Sequence, residues 1–364
     1  MIYLLIITAI VVAAYLVIKL YPPLGAKAAG DDRRSIDGSV NYADGRFVYP
    51  EPTPMDMSFK TMMGVMAEML KGSPNRKPRK ALPADTFNPL LLQNKNQAKA
   101  IWFGHSALLL QMNGLTLLLD PMFGSAPSPF PLLGGKRYGG KLPFEIEELP
   151  EIDAIILSHD HYDHLDYGSI KKLQKKVRRF FVPLGVGAHL ERWGVSRERI
   201  TEADWWDEAE FEGLKLVCAP ARHFSGRSVN DRLSTLWCSW VIDGGGTKVF
   251  FSGDSGYGPH FKQIGERFGP FDLTLMECGQ YDERWSLIHM MPEETVQAHL
   301  DVGGKLMIPI HWGAFTLAVH DWTDPVERVL RKAEQSGADV ATPRIGQAVT
   351  IGAPEYPTSP WWRA

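Results

Sequence analysis

Cysteine is scarce in this chain: Cys218, Cys238 and Cys278 are the only three among 364 residues, and their spacing matches no metal motif. A sparse, odd set excludes a disulfide framework and reads as reduced, buried thiols in a reducing compartment. A surplus of positive charge is also missing. Lys and Arg number 39 against 42 Asp and Glu, a formal net charge of -3, which removes the electrostatic case for a nucleic-acid partner. There is no internal repeat and no low-complexity tract. Charge is absent altogether from Ile2 to Ile18, and no Lys or Arg precedes that run.

That last absence is informative. An uncharged apolar stretch of this length, extended by Leu20 and Tyr21 past Lys19, reads as a short membrane-anchoring helix. Ala26-Lys27-Ala28 resembles a signal cleavage site, which keeps a cleaved signal as the alternative, but the basic flank such signals carry in front is missing. Lys19, Lys27, Arg33 and Arg34 all follow the run, so the rule that positive flanks stay inside expects a cytoplasmic main domain. The organisation expected is an anchor over 1–21, a tether over 22–83, a catalytic domain over 84–352 and a tail over 353–364. Within the tether, "MDMSFKTMMGVMAEMLKG" places methionines at 55, 57, 62, 63, 66 and 69, six of the 13 in the chain. Such a helix either packs conventionally or offers an adaptable face to lipid or ligand.

With 45% hydrophobic and 22% charged residues, the rest is ordinary for a folded domain. From Ala100 short β-type runs dominate. "AIWFGHSALLLQMNGLTLLLD" holds two of them around Asn113-Gly114, a tight-hairpin signal. Helical patterns fall between others, at 168–177 and 292–302, so the expectation is an α/β fold of sheets covered by helices. "SIKKLQKKVRRF" packs six positive charges into 171–179 beside an apolar stripe at Ile170, Leu173, Val177 and Phe180. It reads as an amphipathic helix whose basic face meets solvent or an anionic lipid surface.

The chemistry is concentrated in "ILSHDHYDHLD". His159, His161, Asp163 and His164 leave the end of an apolar run together, and burying that many imidazoles and carboxylates without partners costs several kcal/mol. A divalent metal supplies the partner; nitrogen and carboxylate donors suit zinc or a near neighbour such as manganese or iron. Three more candidates arrive at or just after other strand-like runs: His223 in "LKLVCAPARH", Asp254 in "TKVFFSGD" and His311 in "KLMIPIH". Seven donors suffice for two metals with one bridging carboxylate. His105 in "FGHS" and Asp120 in "LLLDP" stand near the same edge and are read as groups that orient the ligands. "GDSG" at 253–256 resembles a serine-protease nucleophile loop, but Asp254 is needed as a ligand and Ser255 is read as loop chemistry.

In order and type these residues resemble the metallo-β-lactamase superfamily. "SHDHYDHLDY", "VPLG", "DWW", "FFSGDSGYGPHFKQIGERFGPFDL", "IHWGAF", "WFGHSALLL", "LDPMF", "KRY" and "ELPEIDA" further resemble its branch of N-acylphosphatidylethanolamine-hydrolysing phospholipases D, over nearly everything after Gly45. The resemblance implies a four-layer αββα sandwich behind the anchor helix, with the site on one edge. It implies two zinc ions, one on His159, His161 and His223, the other on Asp163, His164 and His311, with Asp254 bridging. The reaction implied is hydrolysis of a membrane phospholipid, through a hydroxide held between the metals, to phosphatidic acid and an N-acylethanolamine. Asp163, Asp254 and His289 are then the catalytic residues. His289 matches a family histidine near the substrate, although Met290 and Met291 replace its usual neighbours. Tyr281, Arg284 and Trp285 are expected along the substrate channel, and a homodimer is implied. The same fold also hosts enzymes that attack lactones, thioesters or esters, which is the alternative activity. A non-enzymatic membrane scaffold would show eroded ligands, and all seven are intact.

Overall fold

The computed structural model describes every residue except Met57, Leu133, Gly134, Lys141 and Ala364, and the backbone alone at Ala14. Met57, one of the methionines counted above, therefore lies outside the described residues. An apolar helix, α1 (Ile2–Leu20), comes first, followed by α2 (Gly30–Asp37), a two-strand hairpin of β1 (Tyr42–Ala43) and β2 (Arg46–Phe47), and α3 (Phe59–Lys71). Among the described residues α1 is the one helix long and apolar enough to cross a membrane, and its apolar window is unburied.

The first sheet contains β3 (Lys99–Trp102), β4 (Leu108–Met112), β5 (Leu115–Leu119), β6 (Ile152–Ile156), β7 (Val177–Pro183) and β8 (Ile200–Ala203), with α4 (Tyr167–Leu173) and α5 (Gly187–Arg192) on its outer face. The second contains β9 (Glu208–Phe211), β10 (Leu214–Ala219), β11 (Ser239–Asp243), β12 (Lys248–Phe251), β13 (Phe271–Glu277), β14 (Gly304–Ile310) and β15 (Asp339–Val340). Helices α6 (His260–Phe268), α7 (Pro292–Asp301) and α8 (Asp324–Ser336) accompany it, and β16 (Ala348–Thr350) returns to pair with β3. Alternation along the strands builds the layers. Trp102, Leu108, Leu110, Leu117 and Ile156 face the core between the sheets, while Ile101, Leu109, Leu118 and Ile155 face α4 and α5. This is the αββα sandwich expected.

The turn at Asn113-Gly114 joins β4 to β5, with Met112 paired to Leu115, as its signal requires. Two sequence expectations change. The stretch 168–177 is not one helix: α4 stops at Leu173, and Val177 opens β7 in parallel register with Ile152. The β-branched and aromatic run "VRRFFVP" outweighs the helical spacing, and Val177 and Phe180 reach the same core from a strand that Ile170 and Leu173 reach from a helix. The basic cluster is consequently split and partly used internally. Arg178 pairs with Asp153 and Glu212, and Lys176 donates to the carbonyl of Leu149 at 2.7 Å. The segment 353–364 is no loose tail. Trp361 and Trp362 are buried, and the Trp361 ring stacks on Trp312 at 5.4 Å, immediately after a candidate ligand.

Candidate metal centre

Strand ends deliver the donors, as the sequence suggested. The turn after β6 carries Ser158 to His164, the turn after β10 His223, the turn after β12 Asp254, and His311 directly follows β14. The two sheets are stitched together at this edge: the His105 amide donates to the carbonyl of Trp312 at 2.8 Å, and the His311 amide to that of His105 at 2.9 Å. His105, Asp120 and His311 all adopt positive φ, at 55°, 39° and 66°. Left-handed backbone at three non-glycine residues is held by its surroundings and is a frequent mark of functional sites. Gly253, at φ 56°, lets Asp254 approach, since a Cβ there would lie 2.7 Å from the Ser158 side chain.

Hydrogen bonds on the far side of the rings fix which nitrogens face inward. His223 Nδ1 lies 2.8 Å from the carbonyl of Ile288, which can only accept, so Nε2 carries the lone pair. His164 Nδ1 meets Asp120 Oδ2 at 2.6 Å. The Ser158 hydroxyl donates to the same carboxylate oxygen at 2.5 Å and so is free to accept from His159 Nδ1 at 2.8 Å. Asp120 therefore orients two ligand rings, one directly and one through Ser158. The freed nitrogens crowd together: His161 Nδ1 is 2.9 Å from His159 Nε2 and 3.1 Å from His223 Nε2.

This donor set fits metal ions. Donor atoms of His159, His161, His223 and Asp254 lie within 4.8 Å of one another, and so do those of His105, Asp163, His164 and His311. His164 Nε2 and Asp254 Oδ1 are buried without a hydrogen-bond partner. Burial, with the neighbouring imidazoles, holds His159, His223 and His311 well below the ordinary histidine range. Burial also lowers His161 to about 4, so these rings are neutral with lone pairs to give. Burial opposes charge on His164 too, but Asp254, Asp163 and Asp120 around it raise its affinity for a proton well above normal. Such a pocket of carboxylates also stabilises a cation of another kind. Burial pushes Asp254 up to about 6.

His105 stands closer to the chemistry than expected: its Nε2 is 2.8 Å from Asp163 Oδ2, so it orients a carboxylate ligand. His289 lines the cavity, with Nδ1 3.0 Å from Glu277 Oε2. The other oxygen of Glu277 accepts from the amides of Met290 at 2.8 Å and Ser255 at 3.3 Å. Glu277 was missed, although it is the last residue of β13 as His311 is the first after β14, and the same strand-end rule would have found it. Ser106, whose Oγ is 3.1 Å from His311 Nδ1, and the Ile288 carbonyl leave no comparable mark. Ser255 is fully buried and does not line the cavity; its Oγ donates to the Gly256 carbonyl at 2.8 Å, accepts from the Arg222 amide at 2.9 Å and lies 3.1 Å from His260 Nε2.

A cavity of about 250 Å³ opens over the donors, lined by Met55, Phe224, Gln280, Arg284, Trp285 and Leu317 among others. Arg284 and Trp285 are thus on its wall. Tyr281 is not. Its hydroxyl bonds Asp324 and its ring stacks on His320 at 4.5 Å, turned toward α8. Arg284 is fully engaged, clamping Glu68 of α3 at 2.9 and 3.0 Å and Asp282 at 2.6 and 2.7 Å.

A profile described as the beta-lactamase superfamily domain matches residues 116–312, which span all four strand ends and all seven donors of this centre. The chain belongs to the metallo-β-lactamase superfamily. Its members include relatives close to this sequence. An uncharacterized protein of Mycobacterium bovis is 43% identical over 346 residues, covering 93% of this chain and 91% of its own. The N-acyl-phosphatidylethanolamine-hydrolyzing phospholipase D 1 of Caenorhabditis elegans is 33% identical over 235 residues, 61% of this chain and 66% of that enzyme. Among solved structures, a metallo hydrolase of Ignicoccus hospitalis aligns with a TM-score of 0.53 at 20% identity, over 71% of this chain and 99% of its own; that likeness speaks to the fold. The protein is a metal-dependent hydrolase of the superfamily, with His and Asp clusters able to hold metal ions.

Proposed function

We propose that the protein is a membrane-associated phosphodiesterase of phospholipase D type, which hydrolyses N-acylphosphatidylethanolamine or a related phospholipid to phosphatidic acid and the freed headgroup, here an N-acylethanolamine. The observation that carries this reading is the 33% identity to the worm phospholipase D over 235 residues, in a chain whose seven donors converge on one cavity. The anchor adds support: α1 is apolar and exposed along nearly all its length. So does α3, which presents Phe59, Met62, Met63, Met66 and Leu70 to solvent beside the cavity.

His159, His161 and His223 would hold one ion, Asp163, His164 and His311 a second, and Asp254 both; zinc suits the donors. Bound there, the ions supply Lewis acidity toward a phosphoryl oxygen and a water nucleophile near neutral pH. The chain's own residues do the rest. Asp120 and Ser158 fix the ligand rings, and His105 fixes Asp163. His289 has Nδ1 toward Glu277, whose carboxyl burial holds protonated well above the usual range, so the Glu277 proton can move to Nδ1 as Nε2 gives its own to the departing alkoxide. Phe224, Trp285, Leu317 and Met55 make walls for acyl chains or headgroup and keep bulk water away from the phosphate.

The test is incubation of the zinc-loaded protein with mixed phospholipid vesicles containing N-acylphosphatidylethanolamine, with products followed by mass spectrometry and His161→Ala as the blank. Phosphatidic acid and N-acylethanolamine formed by the wild type alone support the reading. Intact lipids together with turnover of lactones, thioesters or esters would replace it with a carbonyl hydrolase.

A further inference from the structure

The loop from His159 to His164 carries four of the seven ligands outside any helix or strand, so its backbone needs partners from elsewhere. Arg227, only 4% exposed, supplies them. Its Nη1 donates to the carbonyls of Asp160 and Leu165, the latter at 2.8 Å. The rest of the same guanidinium turns the other way and donates to the carbonyl of Pro23, from Nε at 3.2 Å and Nη2 at 3.0 Å. The rings of Tyr162 and Trp193 hold it at 4.1 and 5.1 Å, and the Trp193 indole donates to Pro22 at 2.8 Å.

A second path runs beside the first. The amide of Ala26 donates to His189 Nδ1 at 2.9 Å, which leaves the proton of that ring on Nε2, facing Asp160 Oδ2 at 3.3 Å. Asp160, between two ligands in sequence, also accepts from the Gly226 amide at 2.8 Å and the Thr235 hydroxyl at 3.1 Å. Gly25 lies flat on the His189 ring at φ 74°, where a Cβ would come within 2.3 Å of Nδ1. A segment serving merely to lead away from α1 would need no more than exposed bonds such as that from Lys27 to Asn230. Pro22–Ala26 instead contacts buried groups that are themselves bonded to the ligand loop.

We infer that Pro22–Ala26 is a working part of the metal centre, a strap that locks Arg227 and His189 in the positions from which the ligand loop is hung. Arg227 and His189 are positioning residues. Metal retention thereby depends on the segment that leaves the apolar helix, and disturbing that segment loosens the ions although no ligand is touched. The inference rests on the metal reading of the seven donors, not on the identity of the substrate.

The experiment uses the full chain in detergent micelles, loaded with zinc and titrated with a chelator. Gly25→Ala and Arg227→Gln are compared with wild type, with Lys27→Ala as control. The expected result is about 10- to 100-fold weaker zinc retention in the first two, an unchanged control, and a narrowed gap between the unfolding temperatures of loaded and chelated protein. Retention within twofold of wild type overturns the inference. So does an equal loss of unfolding temperature in loaded and chelated protein, which marks a purely structural role. Gly25→Ala, outside both sheets and their core, carries the test should Arg227→Gln fail to fold. If wild type itself retained no zinc, the metal reading would fall, an outcome distinct from either.

Discussion

The floor of the cavity and its rim are built on opposite plans. On the floor His159, His164 and His223 each have the outward nitrogen tied down, to Ser158, Asp120 and the Ile288 carbonyl, and positive φ at His105, Asp120 and His311 is imposed by the surrounding sheets. On the rim α3 has no buried residue. It is attached chiefly by Arg284 to Glu68 and by Arg76 to the Glu68 carbonyl at 2.8 Å, with unbranched methionines facing outward. Donors that must meet an ion within tenths of an ångström are over-determined. Side chains that must admit a flexible molecule are left adaptable. One molecule uses both, a few ångströms apart.

The contrast can be broken at the floor first. His161→Ala removes a ligand and is expected to lower hydrolysis by about 10³-fold or more, the several kcal/mol a catalytic metal supplies; initial rates measure it, and a variant keeping a tenth of the activity would refute the assignment. Behind the floor, Trp361→Ala empties a buried ring site beside Trp312 and should cost about 3–5 kcal/mol in chemical denaturation. A loss under 1 kcal/mol would show that the segment only rests there. Asp120→Asn keeps the shape but cannot accept from both Ser158 and His164 at one oxygen while presenting an acceptor to the Ser158 amide. Metal affinity should weaken about 10- to 100-fold, read by competition with a chelator. At the rim, Glu68→Ala breaks an exposed ion pair and should cost no more than about 1 kcal/mol, with KM for lipid shifting a few-fold and kcat barely moving. A Glu68 effect as large as that of Asp120 would erase the distinction between floor and rim.

What the sequence made legible follows from the same contrast. The ligands could be read because each stands where an apolar run stops, and a cluster of imidazoles and carboxylates has few structural explanations. The sheets could be read because their runs are apolar on both faces. Several features could not. The ligand-orienting carbonyl of Ile288 is backbone and has no letter of its own. Tyr281 lies three residues from Arg284, yet an unwound turn points one at α8 and the other at α3. Val177 satisfies a helical stripe and a strand alternately, and only pairing with Ile152 decides. Trp361 and Trp362 look like an ending until the indoles of Trp102 and Trp312 are seen to need cover. Pro23 and Arg227 lie 204 positions apart, and nothing local announces that they meet.

The stack of Trp312 on Trp361 has a consequence for how the molecule comes into being. A nascent chain that has already presented all seven ligands, as far as His311, still lacks the indoles that close the core behind the last of them. The strap, by contrast, precedes all seven ligands in the sequence, directly after the apolar helix. The centre is thus backed from two sides by segments far from its ligands in sequence, Pro22–Ala26 before them and Trp361 after them. A chain cut short before Trp361 would keep every donor yet leave the Trp312 indole uncovered behind His311.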